Sequence, residues 1–282
     1  MEKQIYKNRK IVLLTKHKKE EAIKPILEKA TGCRLIIESG FDTDIFGTFS
    51  RDITRTKSQL ETARLKIREG MLLSGLDIGI ASEGSFGPHP FIPAPWNIEL
   101  VLLFDQQENF ELYGIHESGE TNFAQLTTAS FEEALSFANK SGFPEHFLII
   151  RPDDSESEQI IKGINNYEWL KEAFAWCVAE SHSGKVFIET DMRAHANPIR
   201  MENIKKATED LIEKLHNFCP NCTAPGFIVS ERIKGLPCEL CGLPSDLVLK
   251  NSSKCRKCSY VLERLHPNGQ FAAAKYCHFC NP

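Results

Sequence analysis

No run of apolar residues in this sequence approaches the roughly 20 needed to cross a bilayer as a helix. The N-terminus, MEKQIYKNRK, is charged and lacks the apolar stretch of a secretion signal. These two absences predict a soluble, cytoplasmic protein with no membrane partner. Residues 1–218 show no internal repeat and no low-complexity segment, which speaks against a solenoid or a disordered array there. They are also poor in cysteine. Only Cys33 and Cys177 precede residue 219, both in apolar runs, and such thiols are expected to be buried rather than reactive.

The 282 residues are 41% hydrophobic and 26% charged, an ordinary globular composition with room for one sizeable core and a smaller module. Charge is unevenly spread. Residues 219–282 hold eight Lys/Arg against four Asp/Glu, a net of +4, so residues 1–218 carry −8 of the chain's total of −4. An acidic body argues against nonspecific nucleic-acid binding by residues 1–218 and leaves the basic tail open to it.

Eight of the ten cysteines lie in that tail, as Cys219/Cys222, Cys238/Cys241, Cys255/Cys258 and Cys277/Cys280. Without a secretion signal, four C-x-x-C pairs predict thiolate ligation of zinc rather than disulfides. Fifteen residues separate the first two pairs, thirteen the middle two and eighteen the last two. This spacing favours tandem pairing, first with second and third with fourth, as two zinc ribbons joined by a linker. Four thiolates per ion leave no place for water, so both zincs are expected to be structural. Gly242 suits a knuckle turn. The second ribbon carries Lys250, Lys254, Arg256, Lys257, Arg264 and Lys275 against Glu263. That patch could meet nucleic acid or an acidic protein, or it could offset thiolate charge.

In residues 1–218, short apolar runs alternate with helical patterns. Strands are expected over 11–15, 35–37, 76–81, 97–104, 110–116, 147–150 and 185–188. Thr56 with Gln59, and Ser130 with Glu133, have capping-box spacing, and Asn197-Pro198 fits the start of a helix to about His216. Pro25 should kink the first helix or mark its start. The pattern predicts an α/β domain, a layered mixed sheet with flanking helices, followed by the zinc-ribbon module at 219–282.

Four polar blocks follow expected strands, where open α/β sheets bind ligands. TKHKKE (15–20) offers Lys16, His17 and Lys19 to an anion beside a helix start. FDTDIFGTF (41–49) places Asp42 and Asp44 as candidate hard-cation ligands. ASEGSFGPHP (81–90) sets Glu83 and Ser85 in a glycine-rich loop, and its spacing is not that of a G-x-S-x-G nucleophile. ETDMRAHANPIRM (189–201) gathers Glu189, Asp191, Arg193, His195 and Arg200. Each block alone reads equally as a solvated turn or a salt-bridge network; together they predict one anion-binding and metal-binding cleft.

With TNFA (121–124) and the terminal CNP, these blocks resemble a bacterial family described only as a domain of unknown function. The resemblance covers nearly the whole chain and implies no activity. Residues 11–87 are also similar to house-cleaning nucleotide pyrophosphatases of the inosine-triphosphatase type. Thr15 with Lys18 or Lys19 would match that family's turn and Glu83 its acidic position, although His17 replaces the usual asparagine and one carboxylate stands where paired aspartates are usual.

The expected activity is metal-assisted hydrolysis of a phosphorylated, nucleotide-like substrate. Glu83 and Asp191 would hold Mg²⁺ or Mn²⁺ with help from Asp42 or Asp44. Lys16, His17, Lys19, Ser85, Arg193 and Arg200 would bind substrate, and His195 or Glu189 would act as general base. The alternatives are a non-catalytic adaptor that binds nucleic acid or protein through its ribbons, and a nucleic-acid-modifying enzyme.

Overall fold

The computed structural model describes residues 4–41, 57–89 and 91–282. They divide into two compact units, 1–212 and 213–282, the boundary falling in the last turn of a helix.

The first unit holds two sheets. One is five-stranded and mixed, in the order β2 (Arg34–Glu38), β1 (Lys10–Leu14), β3 (Ile78–Pro88), β4 (Pro95–Asp105), β5 (Phe110–Ser118). β1 runs parallel to β2 and β3, while β3, β4 and β5 form an antiparallel meander. This is the expected layered mixed sheet with flanking helices. The other sheet is antiparallel, in the order β6 (Gln125–Thr128), β9 (Val186–Thr190), β7 (Leu148–Pro152), β8 (Ile161–Ile164). The sequence does not reveal it as separate, because QLTT and IKGI are too short to show a period of two.

Helices α1 (Glu20–Thr31), α2 (Gln59–Ser74), α3 (Phe131–Lys140), α4 (Tyr167–Glu180) and α5 (Pro198–His216) complete the layers. Pro25 does not start α1, which opens five residues earlier. α2 begins with a capping box, as expected, but Ser58 and Glu61 form it: Ser58 Oγ accepts from the Glu61 amide at 3.2 Å, and the Ser58 amide donates to Glu61 at 2.9 Å. Thr56 lies outside the described residues. The cap of α5 is as expected, with Asn197 Oδ1 accepting from the Arg200 amide at 3.0 Å.

Strand alternation decides what covers each face of the mixed sheet. Ala81 on β3 and Leu100 and Leu102 on β4 pack against Ala63, Ile67 and Met71 of α2. The opposite face of β4 presents Asn97 and Glu99 to Asn203 and Arg200 of α5. In the antiparallel sheet Leu148, Ile150, Val186 and Ile188 pack on α3 and α4, with Cys177 in the same core.

Two glycines allow close approach. A Cβ on Gly79 would stand 2.6 Å from Ile67 of α2. One on Gly114 would stand 2.1 Å from the Ala207 carbonyl and 2.4 Å from the Leu211 amide, so β5 and α5 touch backbone to backbone. A backbone cannot step aside as a side chain can. Gly114→Ala should therefore cost about 3 kcal/mol, the upper range for overpacking, read as a lowered urea midpoint with an unchanged m-value.

Candidate functional site

β3 is longer than its pairing with β1. β1 pairs with it only at Val12–Gly79 and Leu13–Ile80, yet β3 continues to Pro88 against β4. Glu83 and Ser85 therefore lie inside a strand, opposite Leu100 and Ile98, and not in the glycine-rich loop that the sequence suggests. The long apolar β4 offers eleven partners and holds the glycines extended.

Beyond the end of β1, both faces of β3 carry polar groups. On the α2 face, Lys66 meets Glu83 at 2.5 Å, and Gln59 donates to the Glu83 and Ile98 carbonyls at 3.2 and 3.0 Å. On the α5 face, Arg200 Nε meets Glu99 at 2.9 Å, with the guanidinium 5.3 Å from the Phe86 ring centre. The same guanidinium donates to the Met192 carbonyl, and Asn97 donates to Glu99 at 3.2 Å. Gly84 leaves this room: a Cβ there would stand 2.5 Å from Glu99 and 2.8 Å from Arg200.

Lys19, just before α1, is buried and donates to the Ser82 carbonyl on β3. Burial pushes its ammonium down to about 7, the charge of Glu83 partly opposing this and Arg200 and Lys66 adding to it. The hydroxyls of Thr15 and Ser82 and one oxygen of Glu99 are buried here without a hydrogen bond among the described residues.

His17 and His195 stack at 5.3 Å, joining the turn after β1 to the segment after β9. The imidazolium of His195 is disfavoured, first by partial desolvation of the ring in this stack and then by Arg193, although the residue is exposed overall. Arg193 grips Asp191 through Nε at 2.9 Å and Nη2 at 2.5 Å, and its own amide donates to the same carboxylate at 3.0 Å. Arg200 belongs to both groups: its charge acts on Lys19 and on His195.

The structure thus gathers Lys19, Glu83 and Arg200 about the middle of β3, where its pairing with β1 has ended, with His17, Asp191, Arg193 and His195 adjoining through Arg200. Ser85 is half-buried and donates to Gln59 at 3.4 Å. Lys16 is exposed on the turn. Glu189 is buried in β9 on the face away from α3 and α4, since Val186 and Ile188 take that core. Asp42 and Asp44 lie outside the described residues. Among the described residues of this unit, no three metal-ligating side chains share a point. The sequence reading gives no site role to Lys66, Gln59, Asn97, Glu99 or Asn203. Glu99 alone left a signal, a carboxylate inside the apolar run NIELVLLF.

In the second unit the cysteines form two groups, Cys219, Cys222, Cys255, Cys258 and Cys238, Cys241, Cys277, Cys280. Pairing is therefore interleaved rather than tandem. β10 (Val229–Lys234), β11 (Val248–Lys254) and β12 (Val261–Leu265) form an antiparallel meander. Its first and third C-x-x-C pairs fall at one end and its second and fourth at the other. Tandem pairing would have to bring together the two ends of β10, about 20 Å apart at 3.3 Å per residue.

Sulfur–sulfur distances fit a tetrahedral ion. They are 3.7 and 3.6 Å in the first group and 3.8 and 3.7 Å in the second. Four thiolates about 2.3 Å from zinc stand about 3.8 Å apart, far beyond a disulfide bond. Each knuckle closes on the same turn: the amides of Thr223, Gly242, Ser259 and Asn281 donate to the carbonyls of Cys219, Cys238, Cys255 and Cys277 at 2.8–3.0 Å. Thr223, Gly242 and Ser259 take positive φ of 58°, 73° and 59°. Asn221 donates to Cys258 and the Leu240 amide to Cys238, both at 3.4 Å. By contrast, Cys33 and Cys177 are buried, and burial pushes the Cys33 thiol up and that of Cys177 up to about 12.

A family described as a domain of unknown function, DUF6671, matches residues 66–282. The chain belongs to this family. No curated protein matches it. The DUF6671 region contains Lys66, Glu83, Glu99, Asp191, Arg193, His195, Arg200 and all eight tail cysteines, whereas the turn with Lys16, His17 and Lys19 precedes it. Among the described residues, no helix is long and apolar enough to cross a membrane.

Two predictions come from this geometry. Cys222→Ser and Cys255→Ser should each lower bound metal from two ions to one, and the double variant should lose no more. Cys222→Ser with Cys238→Ser should lose both, read by metal analysis after gel filtration. For Lys19, the folded value lies below the unfolded one, so stability rises with pH from about 7 toward the ordinary lysine range. Below about 7 the cost of burying the charge is present in full. Lys19→Met should then be more stable than wild type at pH 6 by on the order of a few kcal/mol, at about 1.36 kcal/mol per unit, and the gain should shrink at pH 9 in urea titrations.

Proposed function

We propose that the first unit binds and hydrolyses a phosphorylated, nucleotide-like small molecule beside the middle of β3, where β1 no longer pairs with it. One observation carries this reading: three buried or nearly buried cations, Lys19, Lys66 and Arg200, surround the two carboxylates Glu83 and Glu99. With Lys19 protonated the cluster has one positive charge more than its own acids neutralise. An anion would supply the missing charge, and the hydroxyls of Thr15 and Ser82, buried without a hydrogen bond among the described residues, would donate to its oxygens.

The carboxylates are engaged already, Glu83 by Lys66 and Asp191 by Arg193. That favours recognition of phosphate by side-chain cations over a divalent ion held between those two residues. His195, neutral near pH 7 and at the rim, would accept the proton of the attacking water as the phosphorus–oxygen bond to the leaving group breaks. Arg193 and Arg200 would stabilise the charge that gathers on the phosphoryl oxygens. The likeness of the Thr15–Lys19 turn to nucleotide pyrophosphatases agrees with a nucleotide as the substrate class.

The test is release of phosphate or pyrophosphate from a nucleotide panel by the zinc-loaded chain, with and without Mg²⁺ or Mn²⁺. His195→Ala should lower kcat by about 10²-fold or more, and Lys19→Met should chiefly raise KM. No release across the panel, or wild-type kinetics in both variants, would overturn the proposal. Strict dependence on the divalent ion together with loss in Glu83→Gln would instead favour the metal-assisted route.

A further inference from the structure

The second unit exposes an unusual set of rings. Phe271 is 61% exposed, Tyr276 50% and Phe279 68%. All three lie on residues 271–279, and that segment is clamped to residues 237–241. Ala272 forms a bridge with Cys238 and donates to the Pro237 carbonyl at 2.8 Å, and the Glu239 amide donates back to Ala272 at 3.0 Å. Cys277 and Cys280 then share their metal group with Cys238 and Cys241. The rings are therefore carried on a short, doubly anchored backbone. Three exposed rings within nine residues of an anchored segment make it a candidate contact surface.

The charges around them select the partner. Three of the tail's four acids are occupied within the module: Asp246 by His278 at 2.7 Å and Lys234 at 3.4 Å, Glu263 by Lys250 at 2.7 Å, and Glu239 by the Ala274 amide at 3.1 Å. Lys275 sits 4.9 Å from the Tyr276 ring centre, among the rings themselves. The module as a whole is cationic, with eight Lys/Arg against four Asp/Glu from residue 219 onward. An aliphatic partner would need no such charge, and duplex DNA would leave the rings without a face to stack on. Flat apolar rings beside an exposed lysine, in a module of net positive charge, match unpaired bases on a phosphate backbone.

We propose that Phe271, Tyr276 and Phe279, with Lys275, form a stacking platform for single-stranded nucleic acid on the second metal group. The bases would stack on the rings, and Lys275 would meet the phosphates. Sequence preference should be slight, because every base offers a similar face.

Fluorescence anisotropy with the zinc-loaded full chain and a labelled 15-mer of dT or U, against a duplex of equal length, tests this directly. The single strands should bind more tightly than the duplex, with affinity falling as salt rises. Phe271→Ala and Phe279→Ala should each weaken binding by roughly tenfold while bound zinc stays at two ions per chain, which separates loss of stacking from loss of fold. Absence of binding at low salt, equal affinity for duplex, or unchanged affinity in both ring variants would overturn the proposal. So would equal binding of polyglutamate, which would mark the surface as a site for acidic protein.

Discussion

A guanidinium sealed from water holds the first unit's polar centre together. Arg200 is 1% exposed and its partner Glu99 0%. Around this pair meet β4, the Met192 carbonyl after β9, Phe86 on β3 and the first turn of α5. A buried ion pair is not in itself a good source of stability, since well-packed apolar residues often serve as well, whereas stripping one partner costs about 3–5 kcal/mol. Its value here is positional. It fixes two sheets and a helix at one point through directional bonds, which a leucine could not do.

That point matters because β3 outruns β1. Where a parallel neighbour stops, a strand normally ends or meets another strand; here the described chain supplies Lys19, whose ammonium takes the Ser82 carbonyl. Standing at the edge of β3, Lys19 senses groups on both faces, Glu83 and Lys66 beside α2 and Glu99 and Arg200 beside α5. An amine so placed pays for its position in desolvation, and any anion that enters restores its charge. Anion binding there would be coupled to protonation of Lys19.

Much of this was legible in the sequence, for identifiable reasons. The strand–helix alternation, the cap at Asn197 and the C-x-x-C pairs each leave a local signature, because spacing alone dictates them. Glu83 and Ser85 were recognised as important but read as loop residues, since Gly, Ser and Pro near them mimic a turn. What made them a strand is β4, a partner remote in sequence. Lys66, Glu99 and Asn203 sit within regular elements whose propensity they do not disturb, so their role appears only when two sheets and α5 converge. The pairing of the cysteines was misread for the same reason. Tandem and interleaved sites have the same spacings, and only the meander's strand lengths tell them apart.

The meander also explains how so small a unit can afford an apolar surface. From residue 219 onward the buried apolar side chains other than cysteine are Leu236 and Ala272, and every residue of β12 is exposed. Apolar burial on that scale cannot offset the entropy of ordering about 60 residues. Two ions, one at each end of the sheet, would supply most of the folding free energy, as in other small metal-dependent modules. Once metal ligation replaces a core, the large apolar residues are no longer needed inside. Leu240 and Phe279 occupy the variable positions of C-x-x-C knuckles, where the turn faces them outward. Their identity would then be free to serve recognition, and metal bonds that fold the module would hold that surface in place.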